Sequence, residues 1–113
     1  MEFVKNTMIM VRGDSEAFDV KCTESDGTAR PLVTGDKVYF TVKEDTEKTD
    51  KILQKVIDQF AGGVAMVFID PEDTRLIKPG KYVYDVQISF AGGGIKTIVR
   101  PSTFILEGDV TYE

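Results

Sequence analysis

Along most of the chain, apolar and polar residues alternate with a period of two, the pattern of strands that turn one face to a core and the other to water. Over residues 17–23 the apolar positions are Phe18, Val20 and Cys22, separated by Asp19 and Lys21. Over residues 37–43 they are Val38, Phe40 and Val42, with Tyr39 and Thr41 on the opposite face. The cleanest run is 82–90. There Tyr82, Tyr84, Val86, Ile88 and Phe90 share one face, and Val83, Asp85, Gln87 and Ser89 the other. Turn residues punctuate these runs. Ser25-Asp26-Gly27 follows the first, and Lys78-Pro79-Gly80-Lys81 has the composition of a type II turn, with Pro fixing φ and Gly supplying a positive one. Gly92-Gly93-Gly94 is short enough to make residues 82–90 and 95–100 a hairpin. Pro101 removes a ladder donor, so the last strand is expected to break there, with residues 102–106 continuing on an edge or in a second sheet.

Two segments read differently. Ile52, Leu53, Val56, Ile57 and Phe60 lie on one helical face, and Gly62 suits a C-cap; yet Ile52, Gln54, Val56, Asp58 and Phe60 also alternate. The pattern leaves residues 52–60 open between helix and strand, leaning to the helix. Asp70-Pro71-Glu72-Asp73-Thr74 begins as helices do, with Asp as N-cap, Pro at the first helical position and acids in the first turn. Pro79 confines it to a short helical crossover near residues 71–76. Residues 44–51 are a charged loop, and no segment repeats. About seven short strands with regularly spaced turns predict an all-β protein: a two-sheet antiparallel β-sandwich in a single domain spanning residues 1–113.

Composition narrows the chemistry. Hydrophobic residues make up 42% and charged residues 29% of 113, ordinary values for a globular domain that exclude a disordered or coiled-coil chain. The longest apolar run, residues 64–69, is far short of the roughly 20 residues a bilayer requires. Residues 1–11 lack the pattern of a signal peptide, so no membrane partner and synthesis in the cytoplasm are expected. A net charge of −5 without a basic cluster argues against a nucleic-acid partner. The chain has no histidine and one cysteine, which removes the histidine general base, the serine–histidine couple and imidazole ligands for zinc. Cys22 sits at an apolar strand position, where it serves as a small buried hydrophobe.

A sequence of motifs runs through this framework. Arg12-Gly13-Asp14 precedes the strand with Phe18 and Cys22, and the Asp26-Gly27 turn follows. Gly35-Asp36-Lys37-Val38-Tyr39-Phe40-Thr41-Val42-Lys43 has the form G-x-x-V-x-F-x-V-K. Then come Ile52-Leu53-Gln54-Lys55, Asp70-Pro71-Glu72-Asp73-Thr74, and the arm from Leu76 through Gly80, Tyr82, Tyr84 and Asp85 to Gln87. In this order they resemble the immunoglobulin-like domain found at the N-terminus of phage baseplate upper proteins and in related small tail-region proteins of prophages. The resemblance implies an immunoglobulin-like sandwich with a non-enzymatic structural or assembly role in a tail or baseplate. Its partners would be other tail or baseplate proteins and, because tails are symmetric, further copies of itself. It also implies bacterial synthesis and a place in the virion. Finally, it favours the strand for residues 52–60, in a hairpin with residues 64–69 across Ala61-Gly62-Gly63.

Candidate sites have structural explanations close at hand. Asp70, Glu72 and Asp73 suit a helix start better than a cation site. Asp45, Glu47 and Asp50 have a calcium-loop rhythm, but Lys48 and Lys51 intrude and the Gly and closing Glu of an EF-hand are missing. Gly92-Gly93-Gly94 lacks the Lys-Ser/Thr of a phosphate loop. Tyr82, Tyr84 and Phe90 share a face with Val86 and Ile88, which assigns them to the core. Arg12-Gly13-Asp14, a triplet of integrin-binding type, reads as a turn. No catalytic residue, cofactor or metal follows from the sequence. Tyr39 and Tyr112 are the candidates for surface contact, and a carbohydrate-binding module for host-cell adhesion is the alternative function. Enzymatic carboxylate chemistry would require a strongly perturbed acid in a cleft.

Overall fold

The chain begins with a hairpin that its sequence does not advertise. β1 (Glu2–Val4) folds back on β2 (Thr7–Val11) around Lys5 and Asn6, and Lys5 takes the left-handed φ of 57° normally left to glycine. The computed structural model describes residues 1–110. It continues through β3 (Glu16–Val20), β4 (Lys37–Lys43), β5 (Leu53–Ile57), β6 (Ala65–Ile69), the helix α1 (Pro71–Thr74), β7 (Gly80–Ser89) and β8 (Ile95–Glu107). β1-β2-β8-β7-β4-β5 form one sheet in that spatial order, and β3 pairs with β6 in a second. The described residues are therefore all-β, with two sheets and one short helix.

Several sequence expectations change. The sheets are not wholly antiparallel: β2 runs parallel to β8, with Met8 opposite Phe104 and Met10 opposite Leu106. Residues 52–60 contain a strand and no helix, because β5 pairs along β4 with Leu53 opposite Val42 and Ile57 opposite Val38. The expected hairpin between β5 and β6 does not form. Residues 58–64 instead carry the chain from the large sheet to the small one, where β6 meets β3. Gly63 explains the turn. Its carbonyl accepts the Leu32 N–H at 3.0 Å, and a Cβ there would come within 2.6 Å of Pro31. The turn itself closes, with Ala61 and Val64 exchanging backbone bonds at 3.1 and 3.2 Å across Gly62-Gly63, but it packs onto residues 31 and 32 and no ladder continues from it between β5 and β6.

Pro101 does not break the last strand. β8 runs continuously, and its register slips where the proline lies: Tyr84 faces Ser102, while Val86 faces Val99. Arg100 and Pro101 thus share the space opposite Asp85, a bulge in which the missing N–H costs no ladder bond. Nor does Lys78-Pro79-Gly80-Lys81 make a type II turn. Gly80 is extended, with φ 158°, and opens β7. The reversal is made by α1, where the Asp73 carboxylate accepts the Asp70 N–H at 2.7 Å and the buried Thr74 hydroxyl accepts the Gly13 N–H at 2.8 Å.

The core fills the space between the sheets. Val20, Ala65, Val67 and Ile69 of the small sheet face Val38, Phe40, Tyr84, Val86, Ile88 and Phe104 of the large one. Phe40 lies at the centre, edge-on to Phe18 at 5.3 Å between ring centroids and near Tyr84 at 5.8 Å and Phe104 at 6.5 Å. Tyr84 donates its hydroxyl to the Asn6 carbonyl, so burial and a fixed bond hold it neutral, and burial pushes its ionisation upward. Tyr82 donates to the Lys78 carbonyl at the start of β7. Asp36 is a buried carboxylate that accepts N–H groups from Val33 at 3.0 Å and Ala91 at 2.9 Å, fastening the loop before β4 to the β7–β8 turn. Gly35 permits this approach, since a Cβ there would lie 2.7 Å from that of Ala91.

Two phenylalanines separate burial from composition as the source of stability. Phe40→Ala is expected to lower unfolding free energy by about 3–5 kcal/mol in urea denaturation. Phe68→Ala, at a side chain 59% exposed, should change it by less than about 0.5 kcal/mol.

Candidate functional site

The outer face of the large sheet is assembled by alternation. Because Val38, Phe40 and Val42 turn inward, Tyr39, Thr41 and Lys43 project outward from β4. β7 pairs beside it with Tyr39 opposite Gln87 and Thr41 opposite Asp85, so Asp85, Gln87 and Ser89 share that face. On the other flank, Gln54 of β5 lies opposite Thr41 and donates from Nε2 to its hydroxyl at 3.0 Å. Ile95 from β8 and Lys51 from the loop complete a groove of about 390 Å³.

The electrostatics of this groove centre on Asp85. Partial burial pushes its carboxyl above the ordinary aspartate value, and the positive charge of Lys43 pulls it partly back. It is the one carboxylate among the lining residues, beside Lys43, Lys51, Tyr39, two glutamines, a threonine and a serine. A glycosidase pair needs two carboxylates facing each other across a cleft, and a second is not among these lining residues. What the groove offers is a ring face on Tyr39, hydroxyl and amide groups of both polarities, and charges of both signs. Such a set suits hydrogen bonding to a polar surface or an extended polar chain.

The remaining sequence candidates scatter. Tyr39 lies in the groove, half-buried; Tyr112 falls outside the described residues. Asp70 and Asp73 belong to the helix start and both approach Lys55 Nζ, at 3.7 and 2.7 Å. Asp45 accepts the Glu47 N–H within its exposed loop. Among the described residues, His, Cys, Asp and Glu side chains come together nowhere in a group of three able to hold a metal ion. Arg12 is held by Asp109 at 2.9 Å and Gly13 sits in the turn with φ 84°, so the triplet serves the joint between β2 and β3. Cys22 is buried. Sequence reasoning passed over Asp85. The signal was present, since Asp85 is the lone acid on the outward side of the cleanest alternating strand.

Comparison with protein-family models and with curated protein sequences finds no match for this chain. Among the described residues, no helix is long and apolar enough to cross a membrane.

The shift at Asp85 has a thermodynamic consequence with a definite sign. The folded carboxyl keeps its proton to higher pH than the unfolded chain does. Ionised Asp85 therefore costs stability at neutral pH, and that cost is relieved as pH falls from the raised folded value to the ordinary one. Asp85→Asn should be more stable than the wild type at neutral pH, with the gap closing on acidification in urea titrations. Asp36, whose two N–H bonds lower its ionisation, should behave oppositely. Asp36→Asn should be less stable at neutral pH, again with a narrowing gap in acid. A pH-independent gap at either position would contradict the assignment.

Proposed function

We propose that the chain is an immunoglobulin-like β-sandwich acting as a non-enzymatic structural or assembly module of a phage or prophage tail or baseplate. Three features support the immunoglobulin-like part. The pairing β8-β7-β4-β5 in one sheet and β3-β6 in the other follows the division of strands between the two sheets of such domains. The Tyr82 hydroxyl, bonded to the carbonyl four residues upstream where β7 begins, has the form of a tyrosine corner. And Phe18, Phe40 and Tyr84, one each on β3, β4 and β7, occupy the middle of the sandwich, where antibody domains place a cysteine, a tryptophan and a second cysteine.

The observation that carries the functional part is the outer face around Tyr39 and Asp85. It is concave, polar and only half-buried, and it gathers groups for binding without a second acid for hydrolysis. In the proposed role this face receives a neighbouring tail or baseplate subunit. The chain should then be found by mass spectrometry in purified particles after prophage induction, or should capture a tail protein in pull-downs. Asp85→Lys should weaken that capture at least tenfold, a loss of about 1.4 kcal/mol. Absence from particles together with no tail-protein capture would overturn the role.

Carbohydrate binding in host-cell adhesion is favoured by one feature of the same groove: the Tyr39 ring lies beside Gln54, Gln87 and Asp85, which could bond hydroxyls. Saturable binding to a cell-wall glycan, lost in Tyr39→Ala, would establish that reading in place of subunit docking.

A further inference from the structure

The exposed turn that follows β3 holds the chain's one Asp-Gly pair, Asp26-Gly27. Glycine has no Cβ to shield its amide, so here a carboxyl and the next backbone nitrogen can meet with least hindrance. The reaction open to them is internal. Gly27 N attacks Asp26 Cγ; a C–N bond forms, and the amide proton leaves with the carboxyl hydroxyl as water. Water then adds back to the cyclic imide. Opening at Cγ restores aspartate. Opening at the main-chain carbonyl breaks the old peptide bond and leaves isoaspartate, with the backbone now running through Cγ.

Both reacting groups are restrained in the folded chain. Asp26 Oδ1 accepts the Thr28 hydroxyl at 2.6 Å and the Thr28 N–H at 3.0 Å. These bonds hold the carboxyl below the ordinary aspartate value and so favour the ionised form, which lacks the hydroxyl that must leave. The Gly27 N–H donates to the Glu24 carbonyl at 2.9 Å, so the nitrogen is already engaged. The surrounding loop rests on the same turn. The Glu24 N–H donates to the Thr28 carbonyl and the Arg30 N–H to the Cys22 carbonyl, each at 2.8 Å, and the Arg30 guanidinium lies 3.9 Å from the centre of the Phe90 ring. An extra backbone carbon at residue 26 would put these partners out of register.

We infer that Asp26-Gly27 is the site of spontaneous backbone isomerisation in this chain and that the Thr28 hydroxyl sets its rate. Every other aspartate is followed by a residue that carries a side chain, as Asp14 is by Ser15 and Asp109 by Val110. Thr28 is a positioning residue. Its hydroxyl keeps the carboxylate ionised and turned to its own backbone, and the side chain is otherwise exposed. The inference stands on this turn alone and depends on neither the groove at Asp85 nor the tail assignment.

Prolonged incubation of the purified chain at neutral pH tests it, with isoaspartate located by electron-transfer mass spectrometry of its peptides. Isoaspartate should accumulate first at residue 26, and more slowly than in the chain unfolded in guanidinium chloride. Thr28→Val removes the hydroxyl while keeping the shape of the side chain and the folded spectrum. It should raise the rate at residue 26 about fivefold, as the loss of one hydrogen bond implies. Thr28→Ser keeps the hydroxyl and should match the wild type. Isoaspartate arising first at another residue overturns the inference, as does a wild-type rate equal to that of the unfolded chain. So does a Thr28→Val rate equal to the wild type's, or a Thr28→Ser rate as fast as that of Thr28→Val.

Discussion

The contact on which the rest of this structure depends is the meeting of Phe18 with Phe40 across the gap between the sheets. The small sheet has two strands, and a two-stranded ribbon is marginal by itself in water. Among the described residues no ladder joins it to the larger sheet, so it is held by side chains. The chain contains a single cysteine and no tryptophan, which leaves aromatic and aliphatic packing to do what a disulfide does in some sandwiches. Phe40 reaches Phe18 on one side and Tyr84 and Phe104 on the other. Through Tyr84 the same cluster is fastened to the Asn6 carbonyl in the first hairpin, and so to the start of the chain.

That arrangement decides where the polar side chains of the groove lie. With Val38, Phe40 and Val42 committed inward, pleating obliges Tyr39, Thr41 and Lys43 to line the opposite surface of β4. The same constraint on β7 places Asp85 between Lys43 and the bulge at Pro101. The bulge has a second effect. It lets β8 continue past the proline to Phe104 and Leu106, both fully buried, and so supplies core residues that a broken strand would have lost. The groove and the core are two faces of one set of strands.

The sequence made much of this legible and withheld the rest for physical reasons. The faces of β4 and β7 were plain because alternation reports burial directly. The short helix was plain because Asp70, Pro71 and Asp73 act locally. Neighbours were not, since a period of two names a face and not a partner. Residues 64–69 alternate equally well whether they pair with β5 or, as they do, with β3. The parallel seam of β2 with β8 joins residues nearly a hundred positions apart and leaves no local mark. The first hairpin turns on Lys5 and Asn6 without glycine or proline to announce it. At Pro101 the rule about the missing donor was sound, but a bulge satisfied it without ending the strand. Tyr39 was found as a surface residue, whereas Asp85 became notable only once burial and Lys43 were both in view.

The claim that side-chain contact alone unites the two sheets is tested most directly by a double-mutant cycle on Phe18 and Phe40. Phe18→Leu, Phe40→Leu and the pair are compared with the wild type in urea unfolding. Rings that hold the sheets together should show a favourable coupling of about 0.5–1.5 kcal/mol beyond the sum of the single effects. Additive losses, agreeing to within about 0.3 kcal/mol, would mean that the two rings act independently and that the sheets are joined by something else.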